Sequence, residues 1–476
     1  MELNNKHFKK LALTSFIVII LITILGISIS KNQGEAEFIR YTECKLFDQS
    51  YVHQIDIEVD GFQDMLDNCF LEEYRPCDIT IDGETFYGVG IRCKGNSSME
   101  SVVNQGLDRH SFKIEFDQYD KTKSYYGLDK LVLNNCESDY TYMIDYLVFS
   151  LMNETGADAP LCSYSFININ GEPWGLYMSI ESIEDGLIHR LYGNSAGNLY
   201  KPENPPVREM EGITIDKMGY PVIPKDFDWT VPDVRLEYRG NNFDKYKNIF
   251  NWAKTDINSA DKARLIESLR KLSQQEDLEN ILDIENIIRF FAVHNFVYNE
   301  DGYNGIAVHN YYLYELNGKL NMLPWDYGLA FGTYKNIDEH NAINDPIDSP
   351  IDFDINGKRP MFEWVVTDGV YRQQYHQAMQ ELVTYLKTSN IEDRIDSLHD
   401  LIYEYLLKQK VEFCTVEQFE EALKHFKLFF RLRIQSIEGQ LAGELPINRT
   451  EIESNPDKYV DTTGLDLRKL GWRSRT

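Results

Sequence analysis

Between residues 298 and 328 the chain sets acids and amides among aromatic residues. It reads Tyr298-Asn299-Glu300-Asp301-Gly302-Tyr303-Asn304, then His309-Asn310-Tyr311-Tyr312-Leu313-Tyr314, then Leu323-Pro324-Trp325-Asp326-Tyr327-Gly328. Phosphoryl transfer needs such a set: one carboxylate to orient or deprotonate an acceptor hydroxyl, and an amide oxygen with a second carboxylate to hold magnesium against nucleotide phosphates. Asp301 suits the first role, Asn310 and Asp326 the second, and Asp326-Tyr327-Gly328 has the Asp-aromatic-Gly shape of a kinase metal motif. Asn304 competes with Asn310 as the amide; Asn310 is preferred because a strand position before Tyr311 can be aimed reproducibly. Asp near Gly is usually a turn or cap residue. That alternative is weaker for Asp326, because a charge between Trp325 and Tyr327 that becomes buried requires a partner or a metal.

Further upstream, Lys94-Gly95-Asn96-Ser97-Ser98 offers backbone amides, the Ser97 and Ser98 hydroxyls and an ammonium to a phosphate, although the same residue types also make plain turns. Lys113 falls in the alternating run Ser111 to Phe116, where a kinase small lobe carries the lysine for the nucleotide phosphates. Asp145 and Glu154 are the candidate acids to pair with it. Glu181 ends an apolar strand, as a contact near the nucleotide or an ordinary strand-end acid. Asp352-x-Asp354-x-Asn356-Gly357 with Glu363 satisfies the EF-hand loop pattern. Its context argues against calcium: Pro346 and Pro350 break an incoming helix, Arg359 and Pro360 disturb the loop, and Glu363 reads as part of a helix starting near Met361. No HExxH or GxSxG is present.

These residues need elements to position them. Gln54 to Val59, Ile79 to Ile81, Phe86 to Cys93 and Ser111 to Phe116 read as strands, several joined as hairpins. Met143, Leu147 and Leu151 recur at helical spacing between Ser138 and Thr155, with Gly156 as a stop. Ser163 to Asn170 and Trp174 to Ile180 are two further strands around Asn170-Gly171. Strands, one helix and two strands form the order of a protein-kinase small lobe. Residues 200–245 read as an insertion or irregular loop. Helices are then predicted over 261–275, 284–298, 361–386 and 392–441, with a polar tail from Pro446 expected to be poorly ordered.

At this point the chain resembles the spore coat protein H (CotH) family of atypical protein kinases. The matching stretches are Gly90 to Ser98, Lys113 to Asp117, Leu131 to Asn135 with Asp139 and Met143, Asn168 to Glu181, and the Asp301, Asn310 and Trp325-Asp326 segments. The resemblance implies an α+β, two-lobed kinase-like fold, with an antiparallel small-lobe sheet carrying one helix and a mostly helical second lobe, ATP and Mg2+ as cofactors, and Ser or Thr of secreted or surface proteins as acceptors. It further implies Asp301 as the catalytic carboxylate and Asp326 as a metal ligand. Lys94, Ser97, Ser98, Lys113 and Glu181 are the expected nucleotide-binding residues, with Asn310 beside Asp326 at the metal. A non-catalytic coat or envelope scaffold is the alternative, and a metal-dependent phosphate-ester hydrolase a third.

The chain of 476 residues carries 48 basic and 76 acidic side chains, a net charge of −28. Nucleic acid is thereby disfavoured as a partner, since phosphate neutralisation needs clustered cations; a Ser-rich, basic protein substrate suits the charge. Lys6, Lys9 and Lys10 precede an uncharged run from Leu11 to Ser30 long enough to span a bilayer, so residues 1–31 read as a signal anchor or signal peptide with the remainder outside the membrane. A nucleotide-binding lobe is expected over 32–184 and a catalytic lobe over 185–445, followed by the tail 446–476. The seven cysteines form no zinc or redox motif, Cys69 and Cys77 being the nearest candidates for a disulfide.

Overall fold

His53–Val59 (β1) alternates buried and exposed residues along its whole length, the pattern of a strand with one face on a core. Arg75–Ile81 (β2), Glu84–Lys94 (β3), Ser111–Glu115 (β4), Lys130–Asn134 (β5), Cys162–Ile169 (β6) and Glu172–Glu181 (β7) join it in a closed barrel of order β1-β2-β3-β4-β5-β7-β6. Its interior is filled by Ile55, Ile57, Ile79, Ile91, Phe112, Ile114, Leu131 and Leu133, each at most 2% exposed, so it is packed and not hollow. The computed structural model describes residues 45–471 except 96, 194–196, 207–209, 211–212, 216–220, 223–229, 335–337 and 351–357. The expected anchor over 1–31 and the Asp352 to Gly357 part of the EF-hand match lie outside the described residues. Among those described, no helix is long and apolar enough to cross a membrane.

Two expectations need correction. The sheet is not purely antiparallel, because β1 pairs parallel with β6, Ile55 opposite Ile167. In addition, β5 stands between Lys113 and the helix, so Lys113 belongs to β4, one strand removed from the strand that leads into the helical segment. β5 is five residues with an apolar centre, Leu131-Val132-Leu133, too short for periodicity to reveal. Ser97–Asn104 (α1) adds a helix between β3 and β4.

Ile144–Thr155 (α2) is buried from Ile144 through Met152, since it lies between the barrel and Ile284–Phe296 (α5), and it stops at Gly156 in the left-handed conformation. Ahead of it Asp139 closes a turn: its carboxylate accepts from Thr141 N (2.8 Å), Thr141 Oγ1 (2.6 Å) and Ile144 N (2.8 Å). Burial raises the Asp139 carboxyl to about 6, against the pull of these donors.

After β7 come Asp185–Tyr192 (α3) and Asn198–Tyr200 (β8). β8 pairs with Tyr311–Leu316 (β11), which pairs with Lys319–Pro324 (β12). Within 200–245 the short strands Thr214–Ile215 (β9) and Pro221–Val222 (β10) pair, and Val234 and Leu236 are buried. The rest is mostly helical: Ser259–Gln274 (α4), α5, Glu339–Asn344 (α6), Pro360–Thr367 (α7), Gly369–Thr388 (α8), Ile391–Leu406 (α9) and Val416–Leu441 (α10). Arg449–Ser454 (α11) follows, and the tail beyond it is docked, contrary to expectation. Leu467 and Leu470 are fully buried, Leu470 O accepts from Tyr140 N at 2.9 Å, and Asp466 N donates to His425 Nδ1 at 3.1 Å. Two leucines in a charged segment are a weak signal in sequence, but in space they reach both the turn before α2 and the helical part. The six described cysteines are all buried and unpaired, so Cys69 and Cys77 form no disulfide.

Candidate active site

The β11–β12 hairpin delivers two of the acid and amide residues. Asn310 immediately precedes β11 and Asp326 follows β12, and Trp325 N donates to Asn310 O at 3.2 Å, tying the two strand ends together. Both adopt left-handed backbone, φ 55° at Asn310 and φ 51° at Asp326, a conformation that Asn and Asp tolerate better than other side chains. Asn310 Nδ2 donates to Asp301 Oδ2 at 2.9 Å, which orients the carboxylate and leaves the amide oxygen as the atom able to meet a cation. Asn304 lies inside the loop, fully buried, with Nδ2 on Asn295 Oδ1, so Asn310 and not Asn304 meets Asp301. The expectation that Asp326 is buried fails. Its flanking Trp325 and Tyr327 are buried, but Asp326 itself is exposed, its left-handed backbone turning it away from the core that holds its neighbours.

Asp145, on the first turn of α2, is the acid that sequence reasoning misassigned. It does not pair with Lys113. It is 4% exposed, accepts from Tyr327 N at 2.6 Å and from Asn134 Nδ2 at 3.1 Å, and faces Asp326. A Cβ built on Gly328 would stand 3.9 Å from Asp145 Oδ2 and 3.9 Å from Asp326 Oδ1. Burial, reinforced by the Asp326 charge, raises the Asp145 carboxyl to about 8. Glu154, the other candidate, accepts from Tyr385 and Arg394 instead. The partner of Lys113 is Glu184, which also accepts from Lys130 Nζ at 2.9 Å. Burial opposes ionisation of Glu184, but the two ammonium groups prevail and hold its carboxyl at about 2. With β5 between β4 and β7, the acid that reaches Lys113 comes from the link after β7, at the N-cap of α3, and not from α2.

On the cationic side, Lys94 ends β3 and its Nζ lies 5.1 Å from the centre of the Trp325 ring. Burial lowers its pKa; Asp326 and Asp145 oppose the shift, while Lys201 and Lys113 add to it. Three lysines and two carboxylates therefore share one electrostatic neighbourhood. Lys201, which the motif search missed, follows β8 and pairs with Glu203, which accepts from His309 Nε2 at 2.6 Å. Asn204 Nδ2 donates to Ala307 O at 2.9 Å, so this segment is fastened to the Asp301 loop. Only long-range pairing of β8 with β11 brings it there. Ser97 and Ser98 open α1, and Gly95 ahead of them has a φ of 126° and a built Cβ 2.5 Å from Ser98 Oγ, so a side chain there would be strained. Glu181 is not brought into the cluster: its buried carboxylate accepts from Arg190 Nε at 2.9 Å, Arg190 Nη2 at 2.6 Å and Leu161 N at 3.0 Å. Buried Arg359 braces the Asp301 loop from below, donating to Tyr303 O at 2.8 Å and Gly305 O at 2.9 Å, and Glu363 sits in the first turn of α7 accepting from Arg359 N at 3.1 Å.

Among the described residues no three His, Cys, Asp or Glu side chains close on one point. Two carboxylates, Asp145 and Asp326, flank Gly328, and the bond from Trp325 N to Asn310 O places Asn310, with its amide oxygen, at the neighbouring strand end. An all-oxygen set this small suits magnesium, which keeps several waters and completes its shell with substrate phosphates.

A family model described as CotH kinase protein matches residues 91–437. The chain belongs to the CotH kinase protein family, and the match spans every residue of the site described above. It is 20% identical over 337 residues to the inner spore coat protein H of Bacillus subtilis (strain 168), covering 70% of this chain and 83% of that one. A second protein of the same strain, the inner spore coat protein H-like protein, is 33% identical over 75 residues, 16% of this chain and 23% of its own.

Proposed function

We propose that this protein is an atypical kinase that transfers the ATP γ-phosphate to Ser or Thr of secreted or surface proteins. The observation that carries this reading is the meeting of Lys94, Lys113 and Lys201 with Asp145 and Asp326 beside the Asn310–Asp301 pair. The barrel and the helical part then act as the two lobes of a kinase-like fold, with the lysines toward the nucleotide phosphates and Asp301 toward the acceptor. Asp326 and Asp145, with the amide oxygen of Asn310, would hold Mg2+, whose chemistry there is neutralisation of phosphate charge. Asp301, held by Asn310, receives the acceptor hydroxyl and takes its proton as the oxygen attacks. Lys113 is held in place by its ion pair with Glu184. Ser97 and Ser98, at the start of α1, lie where β3 hands over from Lys94 and suit the phosphate end of the nucleotide. Glu181 acts through the architecture, anchoring Arg190.

The spore coat relative supports a surface location, and the apolar run from Leu11 to Ser30 supports membrane attachment or export. The acidic net charge supports a basic, Ser-rich acceptor and no nucleic acid. The test is to incubate the full chain with labelled ATP, magnesium and a Ser-rich basic polypeptide. Label on the polypeptide is expected. Tight ATP binding without transfer would favour a coat scaffold, and phosphate released only to water a hydrolase.

A further inference from the structure

His294 lies on the last turn of α5, 1% exposed, and both of its ring nitrogens face loops of the candidate site. Its Nδ1 is 2.7 Å from the hydroxyl of Tyr327, the residue after Asp326. On the other edge, Nε2 has no hydrogen-bond partner among the described residues, and neither does Asn299 Nδ2, also buried. These two atoms converge on one place: a Cβ built on Gly302 would fall 2.9 Å from His294 Nε2 and 3.0 Å from Asn299 Nδ2. The other end of the Asn299 amide is already committed, its Oδ1 accepting from Asp301 N at 3.1 Å. The amide orientation is thereby set, with Nδ2 turned toward the imidazole. Buried polar atoms left unmatched are costly, and a donor and an acceptor facing the same small space are satisfied by a direct bond or by one shared water.

We propose that Asn299, His294 and Tyr327 form a buried hydrogen-bonded relay from the backbone of Asp301 to the residue following Asp326, with His294 as the positioning residue at its centre. Asn299 Nδ2 donates toward His294 Nε2, and His294 Nδ1–H donates to the Tyr327 oxygen. The relay holds the acceptor-orienting loop and the metal-bearing loop at one spacing, which phosphoryl transfer needs and nucleotide binding alone does not. The imidazole must be neutral to accept on one edge and donate on the other, and burial, which pushes its pKa down to about 3, keeps it so. Gly302 is part of the device, since any Cβ there would strike the imidazole, 2.1 Å from Cε1. This inference rests on the kinase reading for its kinetic consequences but not for its spectroscopic one.

The test uses the full chain, Tyr327→Phe, His294→Gln and the double variant. Tyr327→Phe keeps the ring in the core and removes only the hydroxyl. Each single change is expected to lower kcat about tenfold while magnesium-dependent ATP affinity stays within about threefold, and the double variant to be no worse than the poorer single one. Multiplying losses, or unchanged kcat in Tyr327→Phe, would overturn the relay. Nitrogen-15 spectra of histidine-labelled protein are expected to show His294 as the neutral Nδ1–H tautomer at neutral pH; the Nε2–H tautomer would overturn it as well. If the parent protein neither binds Mg-ATP nor transfers phosphate, the kinase reading fails, and the tautomer still decides the relay.

Discussion

Asp301 and Asp326 should fail differently when each loses its charge. Asp301→Asn keeps a hydrogen-bonding group beside Asn310 but removes the proposed proton acceptor, so ATP affinity should stay within a few-fold while turnover drops by roughly 10²–10⁴. Asp326→Asn and Asp145→Asn should both weaken magnesium-dependent ATP binding as well as transfer, because both carboxylates flank Gly328 at the proposed metal site. Calorimetric titration of ATP with and without magnesium separates the two classes, and equal magnesium-dependent binding in Asp326→Asn and the parent would move the metal site elsewhere. Glu184 supplies a prediction in pH. Its folded-state pKa of about 2 lies below the ordinary carboxyl value, so its stabilisation is complete above about pH 4.5 and is lost as pH falls toward 2. Glu184→Gln should therefore lower the unfolding free energy by about 2–3 kcal/mol at pH 7, with the gap to the parent closing near pH 2. Urea unfolding at both pH values measures it.

Among the elements, the C-terminal tail has the largest unexpected role. Leu467 packs against the segment after Asp326, where a Cβ on Gly332 would come within 2.9 Å of Leu467 Cδ1, and Leu470 pairs with the turn that caps α2. Leu467→Ala and Leu470→Ala should each cost about 2–5 kcal/mol in chemical denaturation, as buried leucines do. A loss below about 0.5 kcal/mol for both would mean the tail is dispensable. β1 and β4 were legible from alternation, β6 and β7 from the Asn170-Gly171 turn between them, and α2 with its glycine stop and α5 from helical spacing. β5 was not, because three consecutive apolar residues have no period, and neither was the barrel closure, because β1 and β6 are joined by no local signal. The same division holds for the site. Asp301, Asn310 and Asp326 were visible because they cluster in sequence between recognisable strands. Lys201, Glu203 and Glu184 were not, and Asp145 was visible only as a candidate partner of Lys113, since these residues enter from α2, from the segment after β8 and from the start of α3, and only the pairing of β8 with β11 and of β5 with β7 gathers them. Glu181 misled because a buried acid at a strand end looks alike whether it meets a ligand or, as here, Arg190.

For the whole molecule, 28 excess negative charges on a folded chain and a lysine-flanked apolar run at its start define how it should behave in a cell. The bulk of the chain should lie outside the membrane. Protease added to protoplasts should digest it, and complete protection would show the opposite orientation. The closed barrel carries a consequence for how the protein comes into being. β1 is made first, yet one of its two edges is matched only by β6, more than a hundred residues later. Until Cys162–Ile169 has emerged, the growing chain exposes an unsatisfied strand edge of alternating Ile and Val, the kind of template on which other strands add. Pairing so distant in sequence also makes closure slow. The interval between synthesis of β1 and of β6 is thus when this protein most needs a chaperone or an empty neighbourhood, and substitutions that weaken the β1–β6 register should reduce the yield of folded protein far more than they lower the melting temperature of what does fold.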